Sequence, residues 1–159
     1  MSGIIARMSA TGPAFGRRAL ILLNIALLAA TPAVPAQQVS LRVQEPWARH
    51  VPGSDTAAVY FTVQNPGSQP ATIVAVRSPA AKHCMMHETR STGGTSQMRA
   101  LERLSVPAGG TVRFAPEGMH VMLGALTGPL GVGDTVPVSL ELADGQRLTF
   151  EARVQPLAP

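Results

Sequence analysis

Soft metal donors are gathered in one stretch of this chain. Cys84, Met85, Met86, Met98, Met119 and Met122 stand with His83, His87 and His120 between positions 83 and 122, leaving His50 as the one histidine elsewhere. A thioether is polarisable and uncharged and an imidazole is a borderline donor, so this company favours a soft ion such as Cu(I) over Zn(II). The competing explanation is packing, because methionine fills irregular gaps in a core. Packing accounts for some of the methionines but not for their grouping with imidazoles. No side chain in this stretch is needed as acid, base or nucleophile, so the chain is not expected to be an enzyme.

Strand alternation sorts these groups by face. In an extended 83–88 segment, His83, Met85 and His87 share one face while Cys84, Met86 and Glu88 share the other. By the same rule His120 and Met122 point together, with Val121 and Leu123 opposite. Valine and leucine suit a core, so His120 and Met122 are expected on the outside, an odd place for a methionine unless it binds something. Cys84 and Met86 are expected inward as apolar packing groups. His83 and Met85 are expected to be solvated, with a relay or supporting role beside His87 as the alternative. His50 is expected to sit exposed in a loop, Met119 to pack or else to shield a metal, and Trp47 to anchor the core or an edge.

The elements that must position these groups are short strands. Val39 to Val43 alternates, Ala57 to Gln64 is rich in β-branched and aromatic residues, and 72–77, 81–88, 97–104 and 111–114 follow as further candidates. Val136, Val138, Leu140 and Leu142 alternate up to the turn Asp144-Gly145, after which Leu148, Phe150, Ala152 and Val154 alternate back. About eight or nine strands with no crossover helices predict an all-β antiparallel sandwich or barrel in one domain.

Composition narrows the function classes. The chain has 159 residues and a formal charge of +4, but Arg7, Arg17 and Arg18 precede an uncharged apolar run beginning at Ala19 that breaks at Thr31-Pro32. With Val34-Pro35-Ala36 following, residues 1–36 read as a secretory signal peptide cleaved near Ala36. The apolar run falls short of the roughly 20 residues a membrane span needs, so no stable membrane insertion is expected after cleavage. No cysteine lies near the cleavage point, so lipid attachment there is not expected. The Arg17-Arg18 pair leaves the export route open between the general and twin-arginine systems. The remaining domain, residues 37–159, carries a net charge of only +1 and no basic patch with interleaved aromatics, so nucleic acid is not an expected partner. One cysteine also excludes a disulfide scaffold, a four-cysteine zinc site and an iron–sulfur cluster within the chain.

The spacing His87, ten residues, Met98, twenty-one residues, His120, one residue, Met122 resembles the copper-binding signature of the periplasmic copper chaperone family PCu(A)C. The surrounding segments agree: Glu45-Pro46-Trp47-Ala48-Arg49, Ala57-Ala58-Val59-Tyr60, Val106-Pro107-Ala108-Gly109-Gly110 and Gly118-Met119-His120-Val121-Met122-Leu123. The resemblance spans roughly residues 40–155. It implies a cupredoxin-like β-barrel, a periplasmic monomer, and one Cu(I) held by His87, Met98, His120 and Met122. It also implies delivery of that copper to acceptors such as Sco-like thiol proteins or cytochrome c oxidase subunit II, in assembly of the dinuclear copper centre. Members commonly carry Met two residues after the first His, where this chain has Thr89. Two other readings remain at this level. Cys84 and His87 have the Cys-x-x-His spacing of a blue-copper electron carrier, with His50 as an upstream ligand. A β-sandwich interaction module would bind no copper at all.

Overall fold

A computed structural model describes residues 40–156, so the segment read as a signal peptide lies outside the described residues. Ten strands follow in order: β1 Arg42–His50, β2 Ala57–Gln64, β3 Ala71–Arg77, β4 Ala81–Thr92, β5 Thr95–Leu101, β6 Leu104–Val106, β7 Thr111–Phe114, β8 Met119–Leu126, β9 Thr135–Leu142 and β10 Arg147–Gln155. The all-β expectation holds. The count is ten because the 97–104 candidate divides into β5 and β6, and β1 starts later and runs further than its alternation indicates.

All ten belong to one sheet in the order β5-β4-β8-β7-β2-β1-β10-β9-β3-β6, with β2 also pairing β8. Most neighbours are antiparallel, but β1 runs parallel to β10 and β7 parallel to β8. The sheet coils around one core. The inward positions of β2 (Val59, Phe61, Val63), of β8 (Val121, Leu123) and of β9 (Val136, Val138, Leu140, Leu142) are all buried. Each such side chain contributes on the order of 1.5–3 kcal/mol by leaving water. Phe61 sits at the centre, stacked on Phe114 with centroids 4.3 Å apart and tilted against Phe150 at 4.8 Å. Where the coil approaches closure, β3 and β4 lie side by side without pairing, and Val76, Arg77, Cys84 and Met85 line the cleft between them.

Local chemistry fixes the strands that matter for the site. β4 and β5 are joined by Gly93-Gly94, both at positive φ (61° and 80°). Two consecutive residues in that region make the tight turn whose twist matches paired strands, and glycine reaches it without Cβ strain. Between β7 and β8, Glu117 takes a φ of 64°, and the Gly118 amide donates to the Ala115 carbonyl at 3.1 Å. Asn65, wholly buried after β2, donates its amide to the carbonyls of Gln69 and Val106 and accepts from Gly67 N–H. That side chain and the backbone bonds from Asn65 N–H to Gly110 O and from Gly109 N–H to Gly67 O tie the corner together.

Candidate metal centre

The centre is built on the antiparallel pair β4–β8. In its register Met85 lies opposite Met122, and His87 lies opposite His120. Directly opposed residues share a face, and residues two apart on one strand share it too. Met85, His87, His120 and Met122 therefore occupy four adjoining positions on the outer face, while Cys84 and Met86 turn to the other side opposite Leu123 and Val121. The face assignment made from alternation is correct.

The imidazoles are less exposed than expected. His87 and His120 retain only 9% and 7% of their accessible surface. Their rings meet edge to face, centroids 5.7 Å apart and planes at 83°. Tyr60, on β2, packs against the other side of His120 with centroids 6.3 Å apart, and Trp47 of β1 lies against Tyr60 at 4.4 Å. A row of four rings thus runs Trp47, Tyr60, His120, His87, and it shields the two histidines. Alternation of Val59, Phe61 and Val63 into the core already turns Tyr60 outward, so its place beside the site was open to sequence reasoning that did not reach it.

The two ring systems are prepared differently. The Nδ1 of His120 is 3.2 Å from the Gly118 carbonyl, so this nitrogen donates its proton there and leaves the Nε2 lone pair free for a ligand. Gly118 O also accepts from the Thr89 amide at 3.1 Å, which ties the β7–β8 turn to β4. His87 is the opposite case: its Nδ1 is buried with no hydrogen-bond partner. Burial first, and the neighbouring His120 second, hold the His87 pKa below the ordinary imidazole value. Its ring is accordingly neutral at neutral pH, the state in which imidazole binds metal.

The methionines flank this pair. Met122 is partly buried beside His120 on β8 and is also opposite Ala58 of β2. Met98 lies on edge strand β5 opposite Thr89, one row beyond His87 on the side away from Met122, and is 54% exposed. Among the described residues no group of three or more His, Cys, Asp or Glu could hold a metal ion. The donors that adjoin the two imidazoles on this face are the thioethers of Met85 and Met122.

Other expectations resolve individually. His83 and Met85 are exposed as expected, and Met119 and Cys84 pack partly buried against the core. Burial pushes the Cys84 thiol up, outweighing a backbone hydrogen bond and nearby Arg77. His50 differs: it closes β1, is buried, and its Nε2 is 2.9 Å from Ser54 O. The turn after β1 folds back over the ring, a contact with no local sequence signature. The arrangement does not suit a blue-copper site, because Cys84 and His87 turn to opposite sides of β4 and His50 is engaged by its own turn.

Fold and site together define a cupredoxin-like β-barrel domain with a histidine–methionine cluster on its outer face. Residues 41–154 match the family described as "Putative lipoprotein LpqE-like", and the chain belongs to that family, whose solved structural relatives are PCuAC domains. A protein of Leifsonia xyli subsp. xyli named "Putative lipoprotein Lxx21020" is 35% identical over 120 residues, covering 74% of this chain and 72% of that protein. The solution structure of apo-DR1885 from Deinococcus radiodurans is 32% identical with a TM-score of 0.59, covering 94% of this chain and 97% of that one. Its CuI form is 34% identical with a TM-score of 0.54, covering 80% and 83%. The copper-bound PCuAC domain from PmoF2 has the same fold, with a TM-score of 0.63 at 22% identity, covering 76% and 97%. The family name refers to lipoproteins; in this chain the single cysteine is Cys84, within β4.

Proposed function

We propose that this domain is an exported copper chaperone that binds one Cu(I) through His87, Met98, His120 and Met122 and passes it to copper-accepting proteins. The observation that carries the reading is the opposed pair His87 and His120, 5.7 Å apart, one ring oriented by Gly118 and the other with an orphaned buried nitrogen. An unpaired buried polar atom is costly in a protein without a ligand and is relieved when one binds. The similarity to the CuI form of DR1885 supports the choice of ion. Two neutral imidazoles and two thioethers form a neutral donor set that suits a d10 ion without the grip of thiolates. Because Met98 is exposed, an incoming thiol or thioether can displace it first, and transfer proceeds by exchanging one ligand at a time. The chemistry needs no acid, base or nucleophile, so the domain acts as a carrier rather than an enzyme. The compartment is the periplasm, reached with the 1–36 segment as signal peptide and 37–159 as the working domain. The acceptor reading is cytochrome c oxidase copper-centre assembly, with Sco-like proteins or subunit II receiving the ion.

The test is competition for Cu(I) between the purified protein and a chromophoric chelator, with alanine variants of the four residues. One equivalent of Cu(I) is expected, with weaker binding in each variant. Unchanged affinity in all four would sink the proposal.

A further inference from the structure

Of the large apolar side chains left exposed among the described residues, Val51 and Val132 lie outside the strands, and the two within strands are Met85 and Met98. These two methionines bracket the histidine pair. Met85 precedes His87 by two residues on β4, and Met98 is opposite Thr89, two residues after it. Each therefore stands about 6–7 Å along the strand direction from the His87 row, on opposite sides.

The register distinguishes them further. Met85 is directly opposite Met122, just as His87 is directly opposite His120. Opposed Cβ atoms lie roughly 4.5–5.5 Å apart. With the strand repeat, the four residues mark a rectangle of about 5 by 7 Å, whose centre is within reach of two thioethers and two imidazoles. Met98 reaches the same pair from beyond the opposite side of the rectangle. A methionine with 47% of its surface in water has no packing reason for that position, and its flexible stem lets the sulfur swing inward.

We propose that Met85 is a further thioether ligand of this centre. It completes a Met85, His87, His120, Met122 set and exchanges with Met98, so that the ion has two alternative four-donor sets sharing His87, His120 and Met122. Exchange is a substitution of one neutral thioether for another, with no change in charge or copper oxidation state. The ion can then be released at the β5 edge without dropping to three ligands. This proposal rests on the copper-carrier reading and adds a residue to it.

The experiment uses the intact protein with 13C-methyl methionine, titrated with Cu(I), and chelator competition for wild type, Met85→Leu, Met98→Leu and the double variant. Both positions are exposed, so leucine is expected to leave the fold intact, checked by circular dichroism. One equivalent of Cu(I) should shift the methyl signals of Met85, Met98 and Met122. Each single variant should lose less than about tenfold in affinity, because the other thioether substitutes, and the double variant should lose well over the product of the two. A Met85 methyl signal that does not move, together with a double variant indistinguishable from Met98→Leu, would overturn the role of Met85 while leaving the carrier reading standing. Failure of the carrier reading looks different: wild type would bind no stoichiometric Cu(I), or His87→Ala and His120→Ala would bind it as wild type does, and the role of Met85 would fall with it.

Discussion

Replacing His87 by leucine should separate binding from folding. In the copper-free protein its Nδ1 is buried and unpartnered, and leaving such a group unsatisfied costs about 1–3 kcal/mol. Leucine has a similar bulk and no polar atom. The copper-free His87→Leu protein should therefore be as stable as wild type or more so, by up to about 2 kcal/mol, which for a domain of this size is up to about 8 °C in Tm. Protonation adds a signature. Because the folded His87 pKa is lowered from 6.5, the unfolded chain takes up this proton first as the pH falls. The contribution of His87 is then full above the unfolded value and is lost as pH drops towards the folded one, so wild type should lose stability below about pH 6.5 and the variant should lose less. Copper reverses the order: at a free concentration a thousandfold above Kd it stabilises wild type by about 4 kcal/mol and the variant much less. Calorimetry with and without Cu(I), between pH 5 and 8, reads all three effects. A copper-free His87→Leu protein melting many degrees below wild type would refute the reasoning, since it would mean that the imidazole was satisfied in the folded state.

Cys84 should react slowly with an alkylating reagent near pH 7.5 and faster as pH rises past its elevated pKa, and Cys84→Ala should keep wild-type copper stoichiometry with no loss of visible absorption. Rapid labelling at neutral pH would contradict the burial that raises the thiol. Phe61→Ala removes the ring between Phe114 and Phe150 and should cost about 3–5 kcal/mol in a denaturant titration. Gly94→Ala, at a φ of 80°, should cost about 1–2 kcal/mol through backbone strain, and a neutral result would show that the hairpin had relaxed. Tyr60→Ala should raise the exposure of His120, seen as a faster imidazole exchange or carbethoxylation rate, whereas Tyr60→Phe should preserve the shielding.

What the sequence disclosed follows from how local the governing interactions are. β2 falls on Ala57–Gln64 as read, and the β9–β10 hairpin pivots on Asp144-Gly145 because alternation and turn chemistry are both local. β1 departs from its alternation because Pro46 interrupts the pattern: the register shifts between Gln44 and Trp47, where Glu45 takes a φ of 49°, and the strand continues to His50. Its parallel pairing with β10 joins opposite ends of the domain and leaves no local trace. At the site, alternation placed His87, His120 and Met122 on the outer face but could not reveal their shielding, which depends on Tyr60 from a different strand. The distinction between Met85 and Met98 needed the pairing of three strands, since it is the β4–β8 register that sets Met85 opposite Met122 and the β4–β5 register that sets Met98 opposite Thr89.

The opposition of His87 and His120 across β4 and β8 also bears on how the chain is proofread. A slip of one residue in that pairing would turn one strand's donors to the far face and match imidazole with apolar side chains. Copper would then find only half of the proposed ligands. An ion that binds the native register and no slipped one draws the equilibrium towards correct zipping by mass action, so the cargo serves as an inspector of the barrel that carries it.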